Sequence, residues 1–313
     1  MNRKKLKPYG IAVLLVVLYA IDIFWLSDFL GAWMGLLGTV VSEALLVVIA
    51  VGVFLIFRGR LRSIFPFKKP EAVKIAGTVV LWIGAYWGAL LITMVIAYFF
   101  PQEVMGAGQG IQDVMVSAPV LLSLLVISLT PAICEEMAFR GALLSCFRSM
   151  KNRWAAIIIV SVIFGAFHGS IWRMVPTMLL GIAMGYLLFE TENMFYNMLF
   201  HLINNAFPIL LLAVLNALLK MTGTDLIQAA GTSAQMTELP LGSVALYVMY
   251  GGAAPLLIYL GNYLLHKGQP GYENGVFPRE KKQTLILLIA VGIGMMVLGI
   301  FLLMFSVLVE GIA

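Results

Sequence analysis

Residues 284–309 read TLILLIAVGIGMMVLGIFLLMFSVLV, twenty-six positions without a charged side chain. A helix needs roughly 20 apolar residues to cross the hydrocarbon of a bilayer, so this run is long enough to span it. Backbone N–H and C=O groups find no water in lipid, which leaves helices and closed barrels as the only spanning structures. Barrel strands alternate apolar and polar residues over about ten positions, and this run does not alternate. Working outward, eight more stretches have the same character: Tyr9 to Leu30, Leu36 to Phe57, Ile75 to Phe100, Val116 to Phe147, Trp154 to His168, Met174 to Phe189, Met194 to Leu219 and Leu241 to Leu265. The fold class is all-α, a polytopic transmembrane helical bundle of about eight to nine spans. A chain that is 62% hydrophobic and only 11% charged agrees, being far more apolar than a soluble core requires.

The net charge of +5 could suggest a nucleic-acid partner, but the placement of the basic residues gives a better account. Seventeen of the 20 Lys and Arg lie in four segments: before the first span, Arg58 to Lys74, Arg148 to Arg153, and Lys267 to Lys282. If nine spans alternate, all four segments fall on one side, which the positive-inside rule assigns to the cytoplasm. The chain is expected in the cell membrane as a multi-pass protein with its N-terminus cytoplasmic. Its partners are then the lipid bilayer and whatever substrate the bilayer delivers, with no nucleic acid. The first apolar stretch follows Arg3, Lys4, Lys5 and Lys7 and looks like a signal peptide, but it is too long for one and is read as a retained span.

Residues 1–313 read as one integral membrane domain, without a Pro/Ser-rich linker or a soluble module. The longest polar breaks are Pro101 to Asp113, Met221 to Pro240 and Lys267 to Lys282. The first contains MGAGQG, which lacks the Lys-Ser/Thr of a phosphate loop and is expected to be a flexible connection. Cys134 and Cys146 are twelve residues apart, roughly 18 Å along a continuous helix, too far for a disulfide. The cysteines have no metal-ligand spacing, and no metal or cofactor is expected.

Ionisable groups at membrane depth are costly and mark function by default. Three neighbouring stretches concentrate them: Pro131-Ala-Ile-Cys-Glu135-Glu136-Met-Ala-Phe-Arg140-Gly141, Phe164-Gly-Ala-Phe-His168-Gly169 and His201-Leu-Ile-Asn204-Asn205. Residues four apart share a helical face, so Glu136 can pair with Arg140 while Glu135 points elsewhere. One acid is neutralised and the other is left as a proton acceptor. The pair Glu136 and Arg140 is equally well an ordinary helix-packing salt bridge, which does not explain Glu135. Either histidine alone could be a satisfied core residue, but two histidines and an acidic pair in lipid are each other's most available partners. His201 and Asn205 share a face and form a fork that could donate to an oxyanion. Asn204 lies about 100° off that face and is expected to bond between helices. Phe164, one turn before His168, is a core residue or steers the imidazole.

These groups allow two hydrolytic mechanisms. Glu135 and His168 could activate a water, with His201 and Asn205 stabilising the oxyanion and no metal involved. Alternatively, two His and a Glu could hold zinc, although no His-Glu-x-x-His helix is present. A serine nucleophile has less support, since Ser170 is too close in sequence to His168 and no G-x-S-x-G occurs.

The motifs Glu135-Glu136-x-x-x-Arg140, Phe164-x-x-x-His168 and His201-x-x-x-Asn205, in this order on separate spans, resemble the CPBP family. That family comprises CAAX proteases and bacteriocin-processing or self-immunity proteins, the glutamic intramembrane endopeptidases. Pro131, Gly141 and Asn193 look like the family as well, and the matching core runs from about Val116 to Leu215. The resemblance implies a helical bundle with a conical intramembrane catalytic cavity and a peptide or protein substrate. It also implies that Glu135 and His168 activate water, that His201 and Asn205 form the oxyanion hole, and that Glu136 and Arg140 support them.

Two readings from other classes compete: a proton-coupled transporter using the same residues as a relay, and a non-catalytic immunity protein that binds a peptide. The lack of an internal repeat weakens the first. Asp22 and Glu43 also lie within spans but belong to no motif and receive no role. Depth poses a difficulty, because Glu135 is roughly 20 Å from Arg148 along a helix whereas His201 is only about 12 Å from the start of its span.

Overall fold

The computed structural model describes residues 8–222 and 238–310. Arg3, Lys4, Lys5 and Lys7 and most of the break between Met221 and Pro240 lie outside these residues. The described chain is helical, with no strand among the described residues. Among the described residues ten long helices follow one another, with the single turn Leu61–Ile64 between the second and third: α1 Pro8–Met34, α2 Leu36–Ile56, α3 Ala72–Phe99, α4 Pro101–Ser117, α5 Val120–Leu143, α6 Arg153–Ala166, α7 Ile171–Thr191, α8 Met194–Met221, α9 Leu241–His266 and α10 Arg279–Val309. Among the described residues, eight are long and apolar enough to cross a membrane, all but α4 and α6. The chain is a multi-pass membrane protein. Large apolar side chains such as Trp25, Trp33 and Phe301 face outward, as they must where the solvent is lipid.

Two expectations need correction. The stretch Trp154 to His168 forms only the 14-residue helix α6, which ends at Ala166. Gly169 is the cause: its φ of +69° is left-handed, a conformation a glycine adopts freely and one that stops a helix. His168 therefore sits in the turn beyond the helix and not inside a span. The MGAGQG break is helical, within α4, and not a loose connection. Pro101 at its first position and Glu103 in its first turn are favourable helix starters, and the glycines do not prevent the helix.

The helices group into two compact units, residues 1–70 with 114–210, and residues 71–113 with 211–313. In the second unit, α3 packs on α9 and α9 on α10. A Cβ on Gly77 or Gly84 of α3 would come within 2.9 and 2.8 Å of the α9 backbone, and one on Gly261 of α9 within 2.6 Å of Leu81 N. Helices in lipid associate by such close backbone approach, since no hydrophobic force drives them together.

The first unit holds every residue of the three motifs. Its α6 and α7 form a hairpin in which Arg153 pairs with Glu190 at 2.8 Å and Trp154 stacks on Tyr186. A Cβ on Gly165 would meet Met174 O at 2.6 Å, so only glycine allows that approach. At the far end of α7, Glu192 takes a left-handed conformation (φ +46°) and Asn193 caps α8 by accepting from Phe195 N. Asn193 also accepts from Lys68 N and donates to Lys68 O, and Met194 N donates to Pro66 O. The basic segment after α2 is thereby sewn to the α7–α8 turn. Arg148 adds a bond to Ser63 O at 2.9 Å, and Tyr9 packs on Phe147. Two of the basic segments, the one after α2 and the one after α5, thus adjoin one end of this unit. There the Lys68 ammonium beside Glu192 holds its carboxyl below the usual carboxylate range.

Candidate active site

The site is built on α5, whose regularity is broken twice by wider, π-helical turns, Leu124–Leu129 and Glu136–Leu143. Such turns often mark functional positions because they re-aim side chains. Pro131 lies between them and has no N–H, so the carbonyl four residues earlier, Ile127 O, loses its helical donor. Asn205 of α8 supplies one: its Nδ2 donates to Ile127 O at 3.0 Å. Ser128 Oγ donates back to Leu202 O at 2.9 Å, so α5 and α8 are joined by polar bonds at this depth. Asn204 Nδ2 donates to Asn205 Oδ1 at 3.1 Å, fixing the amide from the other side.

One turn further on, Glu136 is fully buried and receives two donors on a single oxygen. Arg140 Nη1 is 3.1 Å from its Oε1 and His201 Nδ1 is 2.9 Å from the same atom. A carboxylate can only accept, so His201 Nδ1 carries the hydrogen and Nε2 points away from Glu136. The guanidinium of Arg140 lies 3.9 Å over the Phe164 ring, a desolvated cation–π contact worth about 2 kcal/mol. Room for it exists because position 181 is glycine; a Cβ there would be 3.1 Å from Arg140 Nη2. Phe164 also meets His168 at 4.8 Å and His201 at 6.1 Å between ring centroids. It is the apolar hub around which the charged groups are set.

Glu135 points elsewhere, as the helix geometry requires. Its Oε2 is 3.8 Å from His201 Nε2, an ion-pair distance and not a hydrogen bond, and has no hydrogen-bond partner. His168 donates from Nδ1 to Phe164 O at 2.8 Å, because a carbonyl can only accept, and this leaves Nε2 with a free lone pair. Glu135 and His168 both line a cavity of about 120 Å³, together with Ser42, Glu43, Phe139 and Phe167. At 10–15 Å³ of such volume per water, several waters fit. His201 and Asn205 are not among its lining residues.

The depth difficulty disappears. Helix α5 ends at Leu143 and the chain turns before Arg148, so Glu135 is about two turns from its helix end, and His201 is about two turns from the start of α8. Sequence reasoning missed Glu43, which faces Glu135 across the cavity. It also missed the bond of Ser42 Oγ to Asp22 Oδ2 at 3.3 Å, which ties α1 to α2 beside that cavity. Cys134 and Cys146 are free and buried. Among the described residues, no group of three or more His, Cys, Asp or Glu side chains is placed to hold a metal ion.

Residues 117–207 match the family model described as type II CAAX prenyl endopeptidase Rce1-like. The matched stretch contains all three motifs. The chain is also similar to a Bacillus subtilis (strain 168) protein named "Putative membrane peptidase YdiL", with 27% identity over 141 residues. That alignment covers 43% of this chain and 57% of the relative, so the chain spans little more than half the length of the curated protein it matches. No solved structure matches the chain.

Proposed function

We propose that this protein is an intramembrane endopeptidase that cuts a peptide or protein substrate by a Glu/His-activated water. The observation that carries the reading is convergence: Glu135 Oε2 stands 3.8 Å from His201 Nε2, and Glu135 shares with His168 one cavity that has room for water. The match of residues 117–207 to a CAAX endopeptidase family supports the same reaction class.

In this reading a water lies between the Glu135 carboxylate and His168 Nε2. Glu135 takes one of its protons as the oxygen attacks the scissile carbonyl carbon, and His168 orients the water through its lone pair. The carbonyl oxygen becomes an oxyanion. Asn205 gives one N–H to Ile127 O and keeps the second for that oxyanion. His201 joins it from Nε2 as the imidazolium, since its Nδ1 hydrogen is committed to Glu136. Glu135 then passes its proton to the leaving nitrogen, the C–N bond breaks, and a carboxylic acid and an amine are released. Glu136 and Arg140 position His201. The two basic segments adjoining one end of the first unit, where Tyr9 near the start of α1 also packs, support a cytoplasmic N-terminus under the positive-inside rule.

The test is cleavage of a fluorogenic peptide library by the purified full chain, wild type beside His168→Gln, in water enriched in heavy oxygen. The expected result is one solvent oxygen in each new carboxyl group and a loss of about 100-fold in the variant. An uncut library, with ion-gradient-dependent uptake in liposomes, would instead favour the carrier.

A further inference from the structure

Glu43 belongs to none of the motifs, yet it lines the same cavity as Glu135 and His168, reaching it from α2. The two carboxyls therefore face one another from α2 and α5 across that cavity. Glu43 Oε2 and Glu135 Oε2 are both buried, and neither has a hydrogen-bond donor among the described residues. Two acids on one small cavity, each with a buried oxygen that no donor reaches, resist ionising together; a proton shared between them supplies the missing donor. The groups that could offset this are few. From α1, Asp22 adds another acid and is tied to Ser42. From α5, Cys134 is a buried thiol, and Arg140 is committed to Glu136. From the α6–α7 turn and α7 come His168 and Arg173, and from α8 His201 at 3.8 Å. None of these donates a hydrogen bond to either Oε2 atom.

Resting on the endopeptidase reading, we propose that Glu43 is the positioning residue of Glu135, the two carboxyls holding one proton between them across the cavity. The protonated Glu43 donates to Glu135, aims its second oxygen at the water, and leaves it ionised to accept the water's proton. Protonating both acids removes the base, and losing the shared proton removes Glu43 as donor. The working form is the singly protonated pair, and its titration belongs to the pair and not to either residue.

Two measurements on the full chain in lipid test this. The first is infrared difference spectroscopy at neutral pH, which reads the carbonyl stretch of a protonated carboxyl without needing activity. The band is expected to be lost in Glu43→Gln, whose amide donates in its place and leaves Glu135 ionised. A spectrum unchanged by the substitution overturns the proposal. The second is the pH dependence of kcat. The pH profile of Glu43→Gln should be displaced from that of wild type, because an amide donor does not titrate and Glu135 no longer shares a proton with residue 43. Glu43→Ala should lower kcat by up to about 100-fold with KM nearly unchanged, and Glu43→Gln should recover much of that loss. Equal profiles in all three proteins overturn the proposal and leave the endopeptidase standing. A band lost in Glu43→Gln, in a protein that cleaves nothing, keeps the shared proton and removes the peptidase.

Discussion

Glu136 accepts from both Arg140 and His201 at a position with no exposure, so its charge is matched inside the protein and not by water. Breaking such a buried arrangement by deleting one partner leaves the other charge stranded, at a cost of about 3–5 kcal/mol. Arg140→Met is expected to lose that much stability in denaturant unfolding of the detergent-solubilised chain. Glu135→Gln is expected to lose less than about 1 kcal/mol, since it leaves Arg140 and His201 paired with Glu136. Equal losses would mean that the two acids do not divide the work. This division was readable from spacing alone: four residues from Glu136 to Arg140 put them on one face, and one residue of offset turned Glu135 away. Glu43 was not readable, because a lone acid in an apolar span carries no periodicity that says what faces it.

At the scale of elements, Pro131 shapes the site by what it lacks. Without its N–H, Ile127 O is open, and the amide of Asn205 closes it. Pro131→Ala restores a competing donor within α5. The expected result is a stability equal to or above wild type, since proline is lost from a helix interior, with kcat down at least about 10-fold as Asn205 is released. A rate unchanged by the substitution would separate Asn205 from the oxyanion. Gly141 makes a second case. A Cβ there would lie 2.6 Å from the Phe65 ring, so Gly141→Ala should cost about 1–3 kcal/mol, and Phe65→Leu should restore it. The motif residues announced these contacts only as residue types. The wide turns of α5 and the early stop of α6 depend on tertiary bonds and on the left-handed Gly169, which hydropathy does not register.

For the whole molecule, hydropathy placed all eight helices long enough to span, among the described residues, to within five residues of their ends, because burial in lipid depends on length and apolarity before anything else. It failed at α4, where a helix is polar enough to look like a loop, and at α6, where a run looked long enough to span. Sidedness gives a further prediction. In a Cys134→Ser, Cys146→Ser background, Ser63→Cys should react with an impermeant thiol reagent in inside-out vesicles and stay protected in intact cells. The opposite pattern would reverse the topology. The central claim is that Glu135 activates water without a metal, and it is tested most directly by peptide cleavage with wild type and Glu135→Gln, both in a strong zinc chelator. Chelator-resistant cleavage by wild type, lowered at least about 100-fold in the variant, is the predicted result. Cleavage that survives the substitution, or that chelation abolishes and zinc restores, would contradict it.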